Sequence, residues 1–276
     1  MHIFQLHPFS SFSILTTATT LDAWSLSLPD GWYTTFRTFN GGQRALGLHR
    51  HLQRVLLPAQ HHHLPLSLDA KTLRQRIADC LSGLRGDWRI RLTLTPQPQL
   101  WMAVEPLQLP TPEIYQNGVR VNLTQLHRHN PTEKSTAFIH ASTAERQNLA
   151  AQGIYEGLLT HNDRILEGLT SNFYSIQNDT LFTAKYGVLP GVTRSIILTL
   201  AHQIGLTIRY RAPRRTQIAN FTEAFLSSSS RGIVPITQID ETTIANGSPG
   251  KWTQHLIHAY TTYLETHTQP IAPRNP

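Results

Sequence analysis

The chain has 276 residues, a formal net charge of +7 and a single cysteine, Cys80. This length allows one large or two medium domains with a substantial buried core. One cysteine excludes an internal disulfide and is typical of a reducing compartment, so we expect a cytoplasmic protein. No apolar run approaches membrane-spanning length. The basic residues are scattered, which argues against a nucleic-acid-binding face.

The first strong element is a strand over Asp30–Phe39, which is rich in aromatic and β-branched residues. Side chains alternate between the two faces of a strand. One face therefore carries Tyr33, Thr35 and Arg37. These three residues are candidates for contacts with a small molecule.

A hairpin turn at Gly41-Gly42 and an amphipathic helix over 49–60 follow this strand. The next feature is the run His61-His62-His63. Consecutive side chains point in different directions, and no acid or cysteine lies close by in the sequence. We therefore predict a solvated loop here and no metal site.

A Pro-rich segment, Glu105–Gly118, links two regions that each contain helices and strands. It predicts an α+β protein with a small N-terminal domain, 1–112, and a larger C-terminal domain, 113–276. In the second region we predict strands near 119–123, 156–159, 165–176 and 181–183, a helix over 141–152 and a final helix over 251–267.

Lys134 follows the turn formers Asn130, Pro131 and Thr132. A lysine can form a Schiff base with an aldehyde and later move a proton, provided that its surroundings lower its pKa. An isolated lysine is more often a solvated surface group. Residues later in the chain make Lys134 a stronger candidate for this role.

The stretch 166–194 carries an acid and a helix start in close succession. Glu167 lies in an apolar, strand-like run, and L-P-G-V-T-R leads directly into a helix with apolar residues at helical spacing. The unpaired N–H groups at the start of a helix bind phosphate and other anions. An acid, a phosphate cradle and a reactive lysine are together the parts of a pyridoxal-phosphate (PLP) site.

Four motifs in this order give the chain a family resemblance. They are H-L-Q-R-V from His51, E-G-L-T-S-N-F-Y from Glu167, L-P-G-V-T-R from Leu189 and A-F-L-S-S-S-S-R-G-I-V-P-I from Ala224. The chain resembles the class IV aminotransferases, the fold-type IV PLP enzymes. The family includes branched-chain and D-amino-acid aminotransferases and 4-amino-4-deoxychorismate lyase.

The resemblance implies a two-domain α+β fold like that of D-amino-acid aminotransferase, with PLP bound between the domains. It also implies a homodimer that acts on a small amino acid and a 2-oxo acid. The scattered basic residues and the lack of a long apolar run predict neither a nucleic acid nor a membrane as partner. Lys134 and Glu167 would be catalytic, as the Schiff-base lysine and the partner of the pyridine nitrogen. Arg54, Val192, Thr193 and Ser229 would hold the cofactor phosphate, and Tyr33, Thr35, Arg37 and Ser230 would contact the substrate.

The motifs on the substrate side depart from the family pattern. A glutamate of many members is replaced by Thr34, and Leu94 lies near the place of an arginine. We expect transfer of an amino group from a branched-chain or D-type amino acid to a 2-oxo acid. Because Thr34-Thr35 is similar to the aminodeoxychorismate lyases, elimination of pyruvate to form p-aminobenzoate stays open. A protein that binds PLP without catalysis is the third alternative.

Overall fold

A computed structural model describes residues 1–273. It contains strands and helices throughout, which confirms the predicted α+β class. The strands are β1 (His2–Leu6), β2 (Ser11–Ile14), β3 (Trp32–Phe39), β4 (Arg44–Ala45), β5 (Trp88–Leu94), β6 (Leu100–Pro106), β7 (Val119–Thr124), β8 (Glu156–His161), β9 (Arg164–Gly168), β10 (Asn172–Gln177), β11 (Thr180–Phe182), β12 (Thr207–Arg209), β13 (Glu223–Ser228), β14 (Gly232–Ile239), β15 (Thr242–Thr243) and β16 (Gln269–Pro270). The helices are α1 (Leu21–Leu26), α2 (Leu48–His61), α3 (Ala70–Leu81), α4 (Pro112–Asn117), α5 (Ala137–Ala151), α6 (Val192–Gln203), a 3-10 helix (Arg215–Asn220) and α7 (Lys251–His267).

The chain divides into two compact units. Of the described residues, unit 1 comprises 1–108, 133–140 and 264–273, and unit 2 comprises 109–132 and 141–263. The division predicted from the sequence, 1–112 and 113–276, stays a proposal about domain organisation. The compact units differ from it because two later segments, one of them carrying Lys134, belong to unit 1.

Unit 1 is built on an antiparallel sheet of seven strands in the order β16-β4-β3-β5-β6-β1-β2. Phe36 and Ile90 on neighbouring strands pack with Leu52 and Val55 of α2 and Leu73 of α3 in one buried cluster. The helices therefore cover one face of the sheet with their apolar sides. The opposite face of β3 carries Tyr33 and Thr35.

Unit 2 is built on a mixed sheet of nine strands in the order β12-β11-β10-β13-β14-β7-β8-β9, with β15 beside β14. β9 pairs with β8 and also with β10, so six of these strands form a closed ring. The pairs β14–β7, β7–β8 and β11–β12 are parallel. Phe173, Leu158 and Val234 lie in the apolar core of this unit.

The prediction of one continuous strand over 165–176 is wrong, because the structure has two strands there, β9 and β10. Between them the chain turns, and Gly168 N–H donates to the carbonyl of Ser171 at 2.8 Å. The prediction for the final helix is confirmed, since α7 covers Lys251–His267. The helices predicted over 49–60 and 141–152 are present with shifted ends, as α2 and α5, and the helix predicted after L-P-G-V-T-R is α6.

Candidate active site

Lys134 lies in a short segment that pairs with the beginning of β3. Tyr33 N–H donates to the carbonyl of Lys134 at 2.8 Å, and Thr136 N–H donates to the carbonyl of Gly31 at 2.9 Å. The first of these backbone bonds is made by Lys134 itself, and the second lies two residues further along the chain. They hold Lys134 beside the strand that carries the predicted substrate contacts.

The side chains of this region cluster around the ring of Tyr33. Lys134 Nζ lies 4.8 Å from the centre of the ring, and the guanidinium carbon of Arg91 lies at the same distance of 4.8 Å. Arg91 Nε also donates to Thr35 Oγ1 at 3.1 Å. An aromatic face attracts cations at this separation. The structure thus brings Tyr33, Thr35 and Lys134 together, and adds Arg91 to them.

No sequence motif singles out Arg91, which lies on β5 opposite Thr35. Its side chain is 4% exposed. It donates to Asp22 Oδ1 at 2.8 Å, to Ser25 Oγ at 2.8 Å and to the carbonyl of Leu21 at 3.0 Å. Arg91 therefore ties α1 to the sheet. Its strand reads W-R-I-R-L-T-L, and nothing in that pattern distinguishes Arg91 from Arg89.

Arg37, the third candidate on this face of β3, lies with its guanidinium 4.7 Å from the centre of the Phe39 ring. Its Nε is buried without a hydrogen-bond partner. A buried, unpaired donor costs free energy unless a ligand or water completes it. This observation is compatible with a substrate contact.

Arg54 lies on α2, close to a buried histidine of the same helix. His51 is 1% exposed, and its Nδ1 lies 2.7 Å from Thr34 Oγ1. Burial holds the pKa of His51 well below its ordinary value of 6.5, and the positive charges of Arg54 and Lys134 lower it further. His51 is therefore neutral at pH 7, and the two cations of unit 1 that are predicted to bind the cofactor, Arg54 and Lys134, act on it.

Glu167 is a deeply buried acid of unit 2, 2% exposed. Arg128 Nε donates to its Oε1 at 3.0 Å, and the backbone N–H of Leu189 donates to its Oε2 at 2.9 Å. The amide of Asn172 lies at 3.4 Å from the same Oε2. Charge and hydrogen bonds together stabilise the carboxylate form in this environment.

Arg128 is a further residue that sequence reasoning missed. Its side chain is 6% exposed, and it reaches the carbonyl of Leu169 as well as Glu167. It precedes the predicted Lys134 segment in an irregular stretch, H-R-H-N-P, where a basic residue has no distinctive spacing. Only the folded structure places it against the acid.

Glu167 and Asn172 also stabilise the turn that leads into α6. Asn172 Nδ2 donates to the carbonyl of Leu189 at 2.9 Å, and Gly191 N–H donates to that carbonyl at 2.8 Å. Gly191 is the N-cap of α6 and supplies no side-chain cap. Val192 and Thr193 are the first helical residues, so their N–H groups belong to the anion-binding end of the helix.

A hydroxyl from the loop between β13 and β14 lies beside this helix end. Thr193 Oγ1 and Ser229 Oγ are 3.3 Å apart, within hydrogen-bonding distance. Ser229 and Ser230 lie in the loop between β13 and β14, and both are half-buried. The structure therefore brings Val192, Thr193 and Ser229 together in unit 2.

These residues fit PLP. A helix start without a side-chain cap, bordered by two hydroxyls, is suited to the cofactor phosphate. A buried carboxylate paired with Arg128 suits a protonated pyridine nitrogen. The turn 189–191 connects the two, because Leu189 donates to Glu167 and the helix begins three residues later.

Known proteins resemble this chain in sequence and in fold. The family model for amino-transferase class IV matches residues 31–239. D-alanine aminotransferase of Bacillus licheniformis is 25% identical over 243 residues, which are 82% of this chain and 85% of that protein. The branched-chain amino acid aminotransferase of Escherichia coli has a TM-score of 0.81 at 17% identity, over 98% of this chain and 99% of that one. The branched-chain amino acid aminotransferase of T.th., solved with pyridoxamine 5'-phosphate, has a TM-score of 0.80 at 15% identity, over 98% of both chains.

The chain belongs to the class IV aminotransferase family. The family match spans the four motifs that carry the resemblance, so the predicted family and enzyme class are confirmed. The structural neighbours confirm the predicted fold. Within residues 1–273, no helix is both long enough and apolar enough to cross a membrane.

Proposed function

We propose that this protein is a PLP-dependent aminotransferase that moves an amino group from a branched-chain or D-type amino acid to a 2-oxo acid. The observation that carries the proposal is the link between Glu167 and the start of α6. One carboxylate oxygen of Glu167 accepts from Arg128, and the other accepts from Leu189 in the turn before the helix. An acid and an anion site joined in this way match the two ends of PLP.

The remaining proposed contacts to the cofactor are those that the family motifs imply. In unit 2, the N–H groups of Val192 and Thr193 and the hydroxyl of Ser229 would bind the phosphate. In unit 1, Arg54 would add a charge-assisted bond to the phosphate, and Lys134 would hold the cofactor covalently. When bound, PLP supplies an electron sink for the charge that develops on the substrate carbon.

Lys134 would also move the substrate proton, because it is the amine that substrate binding releases. A lysine acts as a base only when its pKa is lowered. In this structure Lys134 lies against the same Tyr33 ring as Arg91.

Substrate contacts would come from Tyr33, Thr35 and Arg37 on one face of β3 and from the N–H of Ser230. The proposed amino-acid substrates are those named for the relatives, which include a D-alanine aminotransferase and branched-chain aminotransferases. These names also favour transamination over the lyase reaction. Whether the donor is an L- or a D-amino acid is decided by the first experiment.

That experiment measures the visible absorbance of the PLP-loaded protein before and after adding single L- or D-amino acids. We expect one enantiomer to bleach the band of the lysine-bound cofactor and a 2-oxo acid to restore it. Pyruvate formed from aminodeoxychorismate, with no bleaching, would favour the lyase. A stable band without turnover of any donor would identify a binding protein without catalysis.

The same absorbance measurement tests Lys134. In Lys134→Ala we expect no band of covalently held cofactor and a loss of turnover of about 10³-fold or more, on the scale of general acid–base and covalent catalysis. Lys185→Ala is the control, because Lys185 is an exposed lysine of the other unit. Transamination by Lys134→Ala at the rate of the control would contradict the assignment.

We also propose that the protein is a cytoplasmic homodimer. The proposal is supported by the family resemblance and by the single cysteine, Cys80. Light scattering of the purified protein tests it, with a mass of twice 31.2 kDa expected. A monomer at the concentration of the activity assay would contradict it.

A further inference from the structure

Arg231 lies in the loop between β13 and β14, directly after Ser230. Its side chain folds back across the loop. Nη2 donates to Glu156 Oε2 at 2.8 Å and to Thr170 Oγ1 at 2.7 Å, while Nε donates to Ser228 Oγ at 3.2 Å. One guanidinium therefore contacts three separate segments of unit 2.

Glu156, at the beginning of β8, is the common partner of these segments. It is 5% exposed. Its Oε1 accepts from the N–H of Thr170 at 2.6 Å and from the hydroxyls of Thr170 and Ser171 at 3.0 Å each. One carboxylate oxygen of Glu156 thus accepts a hydrogen bond from Arg231, and the other accepts hydrogen bonds from residues 170 and 171. The two loops therefore belong to one hydrogen-bond network.

Both loops border residues that bear on the proposed cofactor site. The turn 169–171 directly follows Glu167-Gly168, and a Cβ on Gly168 would overlap Ser171 Oγ and Glu156 Oε1. The other loop carries Ser229, which reaches Thr193 at the start of α6, and Ser230. Arg231 therefore hydrogen-bonds to the turn beside Glu167, the proposed partner of the cofactor ring nitrogen. Arg231 also follows Ser229 and Ser230, the proposed phosphate and substrate contacts, in the sequence.

The loop 229–231 has further contacts that depend on the position of Arg231. Tyr115 Oη donates to the carbonyl of Arg231 at 2.8 Å, and the guanidinium lies 5.3 Å from the centre of the Tyr155 ring. Burial acts to lower the pKa of Arg231, but Glu156 and Tyr155 outweigh it, so the net shift is upward. The guanidinium is therefore charged at neutral pH.

We propose that Arg231 is a positioning residue: by bonding Glu156, Thr170 and Ser228 it sets the loop 229–230 relative to the turn that follows Glu167. The proposal rests on the proposed function, since it concerns the same site. It predicts a specific kinetic effect. A Ser230 N–H that binds the substrate carboxylate does so in the ground state and the transition state alike, so its displacement raises KM more than it lowers kcat.

The test compares Arg231→Met, which removes all three bonds, with Arg231→Lys, which keeps the charge but lacks the forked donors. We expect KM for the amino donor to rise about tenfold or more in Arg231→Met while kcat changes about threefold or less. Arg231→Lys should fall between wild type and Arg231→Met. Arg209→Met, at an exposed arginine of the same unit, is the control and should match wild type.

A second readout needs no turnover. In the cofactor-free protein, hydrogen exchange should become faster in residues 228–232 and also in 168–172 when Arg231 is Met, and stay unchanged when Arg209 is Met. The dissociation constant of pyridoxamine 5'-phosphate should rise in parallel, because Ser229 lies in the displaced loop. If Arg231→Met does not fold, Arg231→Lys and Glu156→Gln carry the same predictions.

Unchanged exchange in 168–172, together with unchanged KM, would overturn the positioning role. A uniform fall in kcat at constant KM would also overturn it, since that pattern indicates an interaction made only in the transition state. If wild type transaminates no donor, the proposed function fails instead, and the exchange data still decide whether Arg231 couples the two loops. The two failures are thus distinguishable.

Discussion

Arg128 and Glu167 form an almost completely buried ion pair, with Arg128 Nε 3.0 Å from Glu167 Oε1 and side chains 6% and 2% exposed. The pair comes from positions 39 residues apart in the sequence. It orients the acid that we propose as the partner of the cofactor nitrogen. Removal of one partner leaves the other charge in a medium of low polarity.

We therefore expect Arg128→Met to lower the free energy of unfolding by about 3–5 kcal/mol. Urea unfolding of the cofactor-free protein measures it. Arg120→Met, at an exposed arginine of β7, should stay within about 0.5 kcal/mol of wild type. Recovery of part of the loss in Arg128→Met/Glu167→Gln would identify the stranded charge as its cause. Equal stability of Arg128→Met and the control would contradict the importance of this pair.

Gly191 is required by a close approach. Its φ of −60° is open to any residue, but a Cβ there would overlap Asn172 Oδ1. We expect Gly191→Ala to cost about 1–3 kcal/mol, as overpacking does. It should also weaken binding of pyridoxamine 5'-phosphate, because Asn172 holds the turn that starts α6. Calorimetric titration measures the affinity.

The matched control for Gly191 is Gly83→Ala, because a Cβ at Gly83 meets nothing within 4 Å. That variant should bind pyridoxamine 5'-phosphate as wild type does. Wild-type affinity in Gly191→Ala would show that the turn tolerates a methyl group and that its packing against Asn172 is not needed for the anion site.

His51 should make stability depend on pH. Its pKa is lowered in the folded state, so below the ordinary value of 6.5 the unfolded chain binds a proton that the folded chain does not. Stability is then complete above about pH 6.5 and is lost as the pH falls, by at most roughly 1.4 kcal/mol per pH unit. His51→Gln should have a slope that is shallower by up to one proton.

The measurement is the free energy of unfolding at several pH values between about 4 and 7, where such a histidine contributes. His49→Gln is the control, because His49 is exposed on the same helix. An identical slope in wild type and His51→Gln would mean that His51 takes up its proton equally in the folded and unfolded chain. The absolute stability of the variant does not enter this comparison.

Arg91 is the corresponding buried charge of unit 1, with Asp22 at 2.8 Å. We expect Arg91→Met to lower the free energy of unfolding by about 1–3 kcal/mol, since Ser25 Oγ and the carbonyl of Leu21 lose a buried donor. Asp22 is 32% exposed, so water can solvate its charge when Arg91 is removed. Arg85→Met, at an exposed position, should be near neutral. Thermal unfolding followed by circular dichroism measures both, and similar melting temperatures would refute the prediction.

Several parts of this protein could be predicted from the sequence because their signals are local. The helix α6 after L-P-G-V-T-R depends on a turn and on apolar spacing within about a dozen residues. The face of β3 that carries Tyr33, Thr35 and Arg37 follows from simple alternation. The bounds of α7 and the family motifs could also be predicted, because each depends on a contiguous stretch of sequence.

The partners of the site residues were decided only by tertiary structure. Arg128 beside Glu167, Arg91 beside Tyr33 and Arg231 beside Glu156 each join residues 39 or more positions apart. An arginine in an irregular stretch or a mixed strand has no periodicity that distinguishes a buried ion pair from a surface charge. Its role is set by which strands become neighbours, and that depends on packing of the whole core.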